Sequence, residues 1–250
     1  MSSSIAGFPA LRRFAACLLL LGGLSACADP QGATLDPNEQ INRGAHDFNV
    51  GLDRNIVRPA SQIYGNNVDP ALRTMFSNFA SNFDEPKRVI NDILQGKAGD
   101  ALNNTGRFVI NSTIGLLGFF DPATDFGLAE RPTDFGETLF VWGVNEGVYV
   151  EAPFLGPSTT RHAWGRVVDI ALNPLNIFAP SPTGEVSLGA SVFGGLNARY
   201  EFTSAIDGVF YDSADSYVTA RSLYLQQRRF ELAGEDGVEI IDPFEELGLE

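Results

Sequence analysis

The chain has 250 residues and a formal net charge of −14, with 17 Lys and Arg against 31 Asp and Glu. That acidity argues against nucleic acid as a partner and against adsorption to an anionic leaflet through a basic patch. Two Cys and two His, all far apart, form neither a disulfide framework nor a metal-ligand spacing, so no metal or other cofactor is expected.

Residues 1–26 read as a targeting segment. Arg12 and Arg13 precede an apolar run through Leu18, Leu19, Leu20 and Leu21 that is too short to span a bilayer, and small residues follow where a peptidase would cut. The string Leu24-Ser25-Ala26-Cys27 resembles the end of a bacterial lipoprotein signal. In such proteins the Cys, here Cys27, becomes the first mature residue; its sulfur carries diacylglycerol and its amino group a fatty acid such as palmitate. One acyl chain holds a protein only marginally, whereas three hold it at a bilayer on any working timescale. In many enterobacterial lipoproteins an Asp right after the lipid-bearing Cys signals retention at the inner membrane; here that position is Ala28, which by the same resemblance favours the outer membrane. Cleavage removes two Arg and no acid, and beyond it no eighteen consecutive apolar residues follow, so a transmembrane helix is not expected.

Residues 27–35 read as a lipidated tether, and from there the period is helical. Asp36-Pro37-Asn38-Glu39 forms a capped start, and Ile41, Ala45, Phe48, Leu52 and Ile56 then make a one-faced stripe that ends at Pro59. Asp69-Pro70 opens a second segment carrying Leu72, Met75, Phe76, Phe79 and Phe83. After Glu85-Pro86 a further one carries Val89, Ile90, Ile93 and Leu94 and closes at Gly96. The next runs from about Asp100 through Leu102, Phe108 and Val109. Thr133-Asp134, with Glu137 behind, caps a short helix bearing Leu139, Phe140 and Trp142, and Ala163, Val167, Ile170 and Ala171 suit a helix stopping before Pro174. Two more are expected near 185–210 and 214–230. With no sustained alternation of strand type, the fold is expected to be all-α, residues 36–230 forming one domain. The stretch 231–250, rich in Glu and Asp, reads as a solvated acidic tail.

Residues 106–120 break the amphipathic pattern, being apolar nearly all round with Asn111, Ser112 and Thr113 as small polar interruptions. As a helix the segment would be about 22 Å long, too short for a ~30 Å hydrocarbon core, which leaves a wholly buried core helix or a half-embedded one.

Short motifs in order then carry a resemblance. Asp36-Pro37-x-Glu39-x-x-Asn42-Arg43, Phe48-Asn49-x-x-Leu52-Asp53 and Arg58-Pro59 come first. Ser77-Asn78-Phe79, Glu85-Pro86, Asn91-x-x-Leu94-Gln95-Gly96-Lys97 and Arg107-Phe108-x-x-Asn111-Ser112-Thr113-x-Gly115 follow. Gly118-Phe119-Phe120-Asp121, Asp134-Phe135-Gly136, Pro153-Phe154-Leu155-Gly156-Pro157-Ser158 and Asp215-x-Tyr217 complete the series. Together they resemble the MlaA/VacJ family of outer-membrane phospholipid-transport lipoproteins. The resemblance implies a single ring-like helical domain with a central amphipathic channel, lipid-anchored to the outer membrane and facing the periplasm. It further implies removal of mislocalised phospholipid from the outer leaflet, association with a trimeric porin, and hand-over to a soluble periplasmic carrier of the MlaC type.

The candidate lipid-contact or channel residues are Phe48, Asn49, Arg107, Phe108, Asn111, Ser112, Thr113, Gly115, Phe119 and Phe120, with Cys27 as the lipid attachment site. Each has a plainer reading. Phe48 completes a core stripe; Asn111, Ser112 and Thr113 can bond their own helix. Arg43, Arg58, Arg107 and Arg161 can meet lipid phosphate or pair with acids such as Glu39, Asp53 and Asp121. No catalytic residue is expected: His46 and His162 stand alone, there is no Gly-x-Ser-x-Gly elbow, and Gly156-Pro157-Ser158 puts a Pro where one needs freedom. A surface phospholipase and a structural envelope lipoprotein are the alternatives.

Overall fold

Helix-forming segments and their punctuation organise the chain, described for residues 36–172 and 183–233 in a computed structural model. Helix α1 (Glu39–Leu52) continues through a π-helical turn (Asp53–Val57) into α2 (Arg58–Asn67). Pro59 therefore does not end the first helix. It lies in the first turn of α2, just after the π-helical turn.

Helix α3 (Pro70–Gln95) is likewise one element where the sequence suggests two, with Pro86 inside it. Asp69 caps it by accepting from the Ala71 amide at 2.8 Å, and Gly96, at a φ of 76°, ends it in the left-handed conformation. α3 packs along α4 (Ala98–Thr113) and against α8 (Thr183–Glu201), and that packing offsets the helix bond lost at Pro86.

The short α5 (Pro122–Asp125) and α6 (Phe135–Val141) follow, α6 capped by Asp134 as expected. An antiparallel hairpin pairs β1 (Tyr149–Ala152) with β2 (Gly156–Thr159), Tyr149 opposite Thr159. The sequence does not reveal it, because four residues per strand are too few to show alternation. Helix α7 (Thr160–Leu172) packs on α6; α9 (Thr203–Phe210) and α10 (Ser216–Ala233) close the described chain. The stretch near 185–210 is thus two helices, divided at Phe202, and the fold is all-α with one small hairpin.

The chain divides into two units, Met1–Thr34 and Leu35–Glu250, and every element above belongs to the second. The expected signal, Cys27, the tether and residues 234–250 of the acidic tail lie outside the described residues. No described helix is long and apolar enough to cross a membrane.

What the helices bury departs from the usual pattern. Among the described residues, twenty-one polar or charged residues are buried against ten apolar ones. On α1 the buried face is Asn42, Ala45 and His46, while Ile41, Phe48 and, in the π turn, Ile56 face outward, Ile41 at 72% exposure. On α4 it is Ala101, Asn104, Arg107 and Asn111, with Leu102 and Val109 outside. Helix α7 repeats the arrangement: Asp169 is inside, Val167 and Ile170 outside. The stripes therefore mark helices correctly but do not mark a core, which a water-soluble amphipathic helix would make of them. The apolar centre that does form is small: Tyr149, Tyr217 and Leu225, with Tyr224 beside them.

Candidate functional site

Helices α3 and α4 hold a polar interior that ends in an apolar tip. At its centre Arg107, almost fully buried, spreads its guanidinium over partners from three segments. Its Nε donates to Glu85 Oε1 at 3.1 Å and its Nη2 to Asp121 Oδ2 at 3.0 Å. Its Nη1 reaches the Leu128 carbonyl at 2.6 Å and Thr124 Oγ1 at 3.1 Å. Asn111, one turn on, donates to Asp121 Oδ1 at 2.8 Å and accepts from the Ala123 amide at 3.0 Å. α4 is thereby tied to the start of α5 by charge-assisted bonds.

Burial pushes the Glu85 carboxyl above its ordinary range, against the pull of Arg88 and Arg107. Burial also acts to raise Asp121, but bonds from Thr124, Asn111 and Arg107 outweigh it and hold that carboxyl low. A cavity of about 40 Å³ lies among these groups, lined by Asn78, Asn82, Glu85 and Arg107 with their neighbours. Two of its lining acceptors, Asn82 Oδ1 and Glu85 Oε2, take no bond from the protein, and the volume suits water rather than an organic ligand.

Beyond Thr113 the helix stops. The expectation of a helix through 106–120 is corrected here: Leu116, Leu117 and Gly118 have φ of 52°, 62° and 94°, left-handed values that no right-handed helix contains. Residues 114–120 form a turn instead. Its amides fold back on α4, Gly118 N to the Asn111 carbonyl at 2.8 Å and Leu117 N to that of Ser112 at 3.0 Å. Asn82 supports the turn by donating to Ser112 Oγ and to the Leu117 carbonyl. Ile114, Leu116, Leu117 and Phe120 are left exposed, Leu117 at 66%, while Phe119 stacks on Phe79 with ring centres 4.6 Å apart.

The ten candidate residues therefore fall into two groups. Arg107, Phe108, Asn111, Ser112, Thr113, Gly115, Phe119 and Phe120 share the α4 end and its turn. There Arg107 and Asn111 are engaged by the protein, and Thr113 bonds its own helix at the Val109 carbonyl, 2.7 Å away. Gly115 is required: a Cβ on it would lie 2.4 Å from the Phe120 carbonyl oxygen. Phe48 and Asn49 sit elsewhere, against the hairpin. Asn49 donates to Glu151 Oε1 and the Ala152 carbonyl and accepts from the Phe154 amide at 2.8 Å. Phe48 meets the edge of Phe154, a residue with φ of 67° at an exposed hairpin tip beside Leu155. Two apolar tips with left-handed non-glycine residues thus each rest on a polar framework.

Sequence reasoning missed most of that framework. Arg43 pairs with Glu39, as i,i+4 spacing allows, and also with Asp215; Arg58 pairs with Asp207. Asp53 instead meets Arg199, 146 residues away. Arg161 donates to the Val144 carbonyl. His46 is not isolated either: Nδ1 lies 3.1 Å from Glu151 Oε1 and Nε2 lies 3.0 Å from Ser216 Oγ.

The model of the family described as MlaA lipoprotein matches residues 34–231. The intermembrane phospholipid transport system lipoprotein MlaA of Shigella flexneri is 35% identical over 219 residues, 85% of this chain and 84% of its own length. The protein of the same name from Escherichia coli (strain K12) is 34% identical over the same shares. A solved chain, from work on the structural basis for maintenance of bacterial outer membrane lipid asymmetry, superposes with a TM-score of 0.69 at 32% identity. The match covers 79% of this chain and 99% of that one.

Proposed function

The chain belongs to the MlaA lipoprotein family, and on that premise we propose that it removes mislocalised phospholipid from the outer leaflet of the outer membrane. It passes that lipid to a soluble periplasmic carrier and so maintains lipid asymmetry. Cys27 carries the lipid anchor, the body faces the periplasm in the inner leaflet, and a trimeric porin is its membrane partner. The observation that carries this reading is the inverted burial. Outward-facing Ile41, Ile56, Leu102, Val109 and Ile170, set against a polar interior, are costly together in water and at home against acyl chains.

The work of the protein is to lower a barrier. Drawing an acyl chain out of a bilayer costs about 0.8 kcal/mol per CH₂, and a path with apolar walls and polar interior groups offsets that cost at both ends of the lipid. Direction follows from removal of lipid by the carrier, since a passive path favours neither side. Deleting the gene should raise outer-leaflet phospholipid, and restoring it should lower it again. An unchanged level in both strains would sink the proposal, and protein that binds porin but never lipid would point to a structural lipoprotein.

One observation favours a second reading, a phospholipase. Ser216, His46 and Glu151 are bonded in a line, as a hydrolytic triad is. The same carboxylate also accepts from Tyr149 Oη and Asn49, and His46 is closed in by Phe210 and Tyr217, which is the environment of a structural clamp. Incubation with phospholipid decides: lysolipid release by the native chain that is lost in Ser216→Ala would establish hydrolysis.

A further inference from the structure

A second cavity, of about 420 Å³, opens between α3, the segment preceding α6, α6 itself and α10. Its volume is that of a small-molecule site, but its walls are charged where such sites are mostly apolar. Lys87, Arg88 and Arg228 face it together with four carboxylates, among them Asp84, Asp134 and Glu231.

Arg88 is taken up by Glu85 and Glu130, and Glu137 by Lys97, all within 3.3 Å; the ion pairs within the lining itself are of two kinds. Arg228 Nη2 and Asp134 Oδ1, 2.8 Å apart, form an inner pair that joins α10 to the cap of α6. At the edge, Lys87 pairs with Asp84 at 2.7 Å and Arg228 Nη1 with Glu231 at 3.1 Å, each within a single helix and each with its acid about half exposed. An acid so exposed is readily rehydrated when its pair opens, so such a pair contributes little. The edge pairs can therefore open at small cost while the inner pair keeps Arg228 in place.

The sign pattern selects the ligand. A purely anionic group entering here meets the Asp84, Asp134 and Glu231 carboxylates, and a purely cationic one meets Lys87 and Arg228. A group carrying both signs a few ångströms apart exchanges one set of pairs for another: its phosphate takes Lys87 and Arg228, and its ammonium takes the Asp84 and Glu231 carboxylates so released. The net charge of the site is the same before and after. We propose that this cavity is the subsite for a zwitterionic phosphate–ammonium headgroup, and that it makes the protein select zwitterionic over anionic phospholipid. The inference rests on the phospholipid-transport reading and adds to it a headgroup class and the residues that hold it.

Calorimetric titration of the full-length protein in detergent, with glycerophosphoethanolamine, glycerophosphoglycerol and ethanolamine as probes, tests the subsite directly. The zwitterion should bind at least tenfold tighter than either singly charged probe. Lys87→Ala and Glu231→Ala should each weaken it about tenfold at unchanged Tm, and Arg54→Ala, remote from the cavity, should not. Equal binding of zwitterion and anion overturns the proposal, as does unchanged binding in both cavity variants. A second arm offers vesicles of equal phosphatidylethanolamine and phosphatidylglycerol and identifies the lipid extracted. Extraction without selection removes the subsite and leaves the transport reading standing. Binding of the soluble zwitterion with no lipid taken up at all assigns the cavity to a free small molecule and overturns the proposal, while the transport reading stands or falls on the gene deletion.

Discussion

The Arg107 interior and the turn at residues 114–120 are neighbours in sequence and opposites in chemistry. The first buries a guanidinium, carboxylates and amides with almost every polar atom bonded; the second exposes Ile114, Leu116, Leu117 and Phe120. In a water-soluble bundle the placement would be reversed. A framework held by directional, charge-assisted bonds does not need its apolar side chains for cohesion, so they are free to face outward. The framework keeps the shape and the apolar surface meets the surroundings.

Arg107→Ala should separate the two most forcefully. It leaves the buried Glu85 with only Arg88 beside it and the partly buried Asp121 without its cation, and should cost about 3–5 kcal/mol in urea unfolding, with Arg107→Lys intermediate because a single ammonium cannot span both acids. Gly115→Ala comes next. Its methyl would press on the Phe120 and Asn111 carbonyls, and a loss of about 1–3 kcal/mol is expected in a thermal melt. Leu117→Ser should do the reverse, leaving stability within about 0.5 kcal/mol. It should weaken partition into phospholipid vesicles about tenfold, the equivalent of burying much of one Leu. A drop in Tm like that of Gly115→Ala would place Leu117 in the interior and undo the contrast.

The remaining contrast is one of pH. His162 Nε2 accepts from Arg166 and its Nδ1 faces Tyr224 Oη, an arrangement for the neutral ring. Burial, then Arg228 and Arg166, push its pKa down to about 4. The unfolded chain takes up the proton near pH ~6.5, so this stabilisation is full above that value and is lost as pH falls towards 4. Asp92 acts with the opposite sign. Burial raises its pKa to about 6, and its contribution is full below about pH 3.9 and lost as pH rises through 6. Melting curves of His162→Gln and Asp92→Asn against pH should therefore differ from the native curve in opposite directions.

Most helices and several of their ends were legible because caps and periodicity are local, whereas the stops expected at Pro59 and before Pro86 do not occur. Asp69, Asp134 and Gly96 act where their chemistry predicts. Which face each helix buries was not legible, because periodicity reports that a helix is two-sided and is silent on what lies beyond each side. The stripe through Ile41, Phe48 and Ile56 reads identically for a core and for lipid. Partners such as Asp53 with Arg199, or His46 with Glu151 and Ser216, are separated by more than a hundred residues and leave no spacing to find. The turn after Thr113 was hidden for another reason: left-handed backbone is signalled by Gly or Asn, and here Leu116 and Leu117 adopt it, held by the bonds around them.

Those bonds bear on how the turn would move from water into hydrocarbon. An amide entering oil without an acceptor carries a penalty of several kcal/mol, which excludes most irregular loops from a bilayer. The amides of Ile114, Gly115, Leu117, Gly118 and Phe120 already donate to carbonyls within 110–115, all at 3.1 Å or less. Most of the turn's amides have in effect been dehydrated during folding, so its leucines can change solvent with little of its backbone doing so.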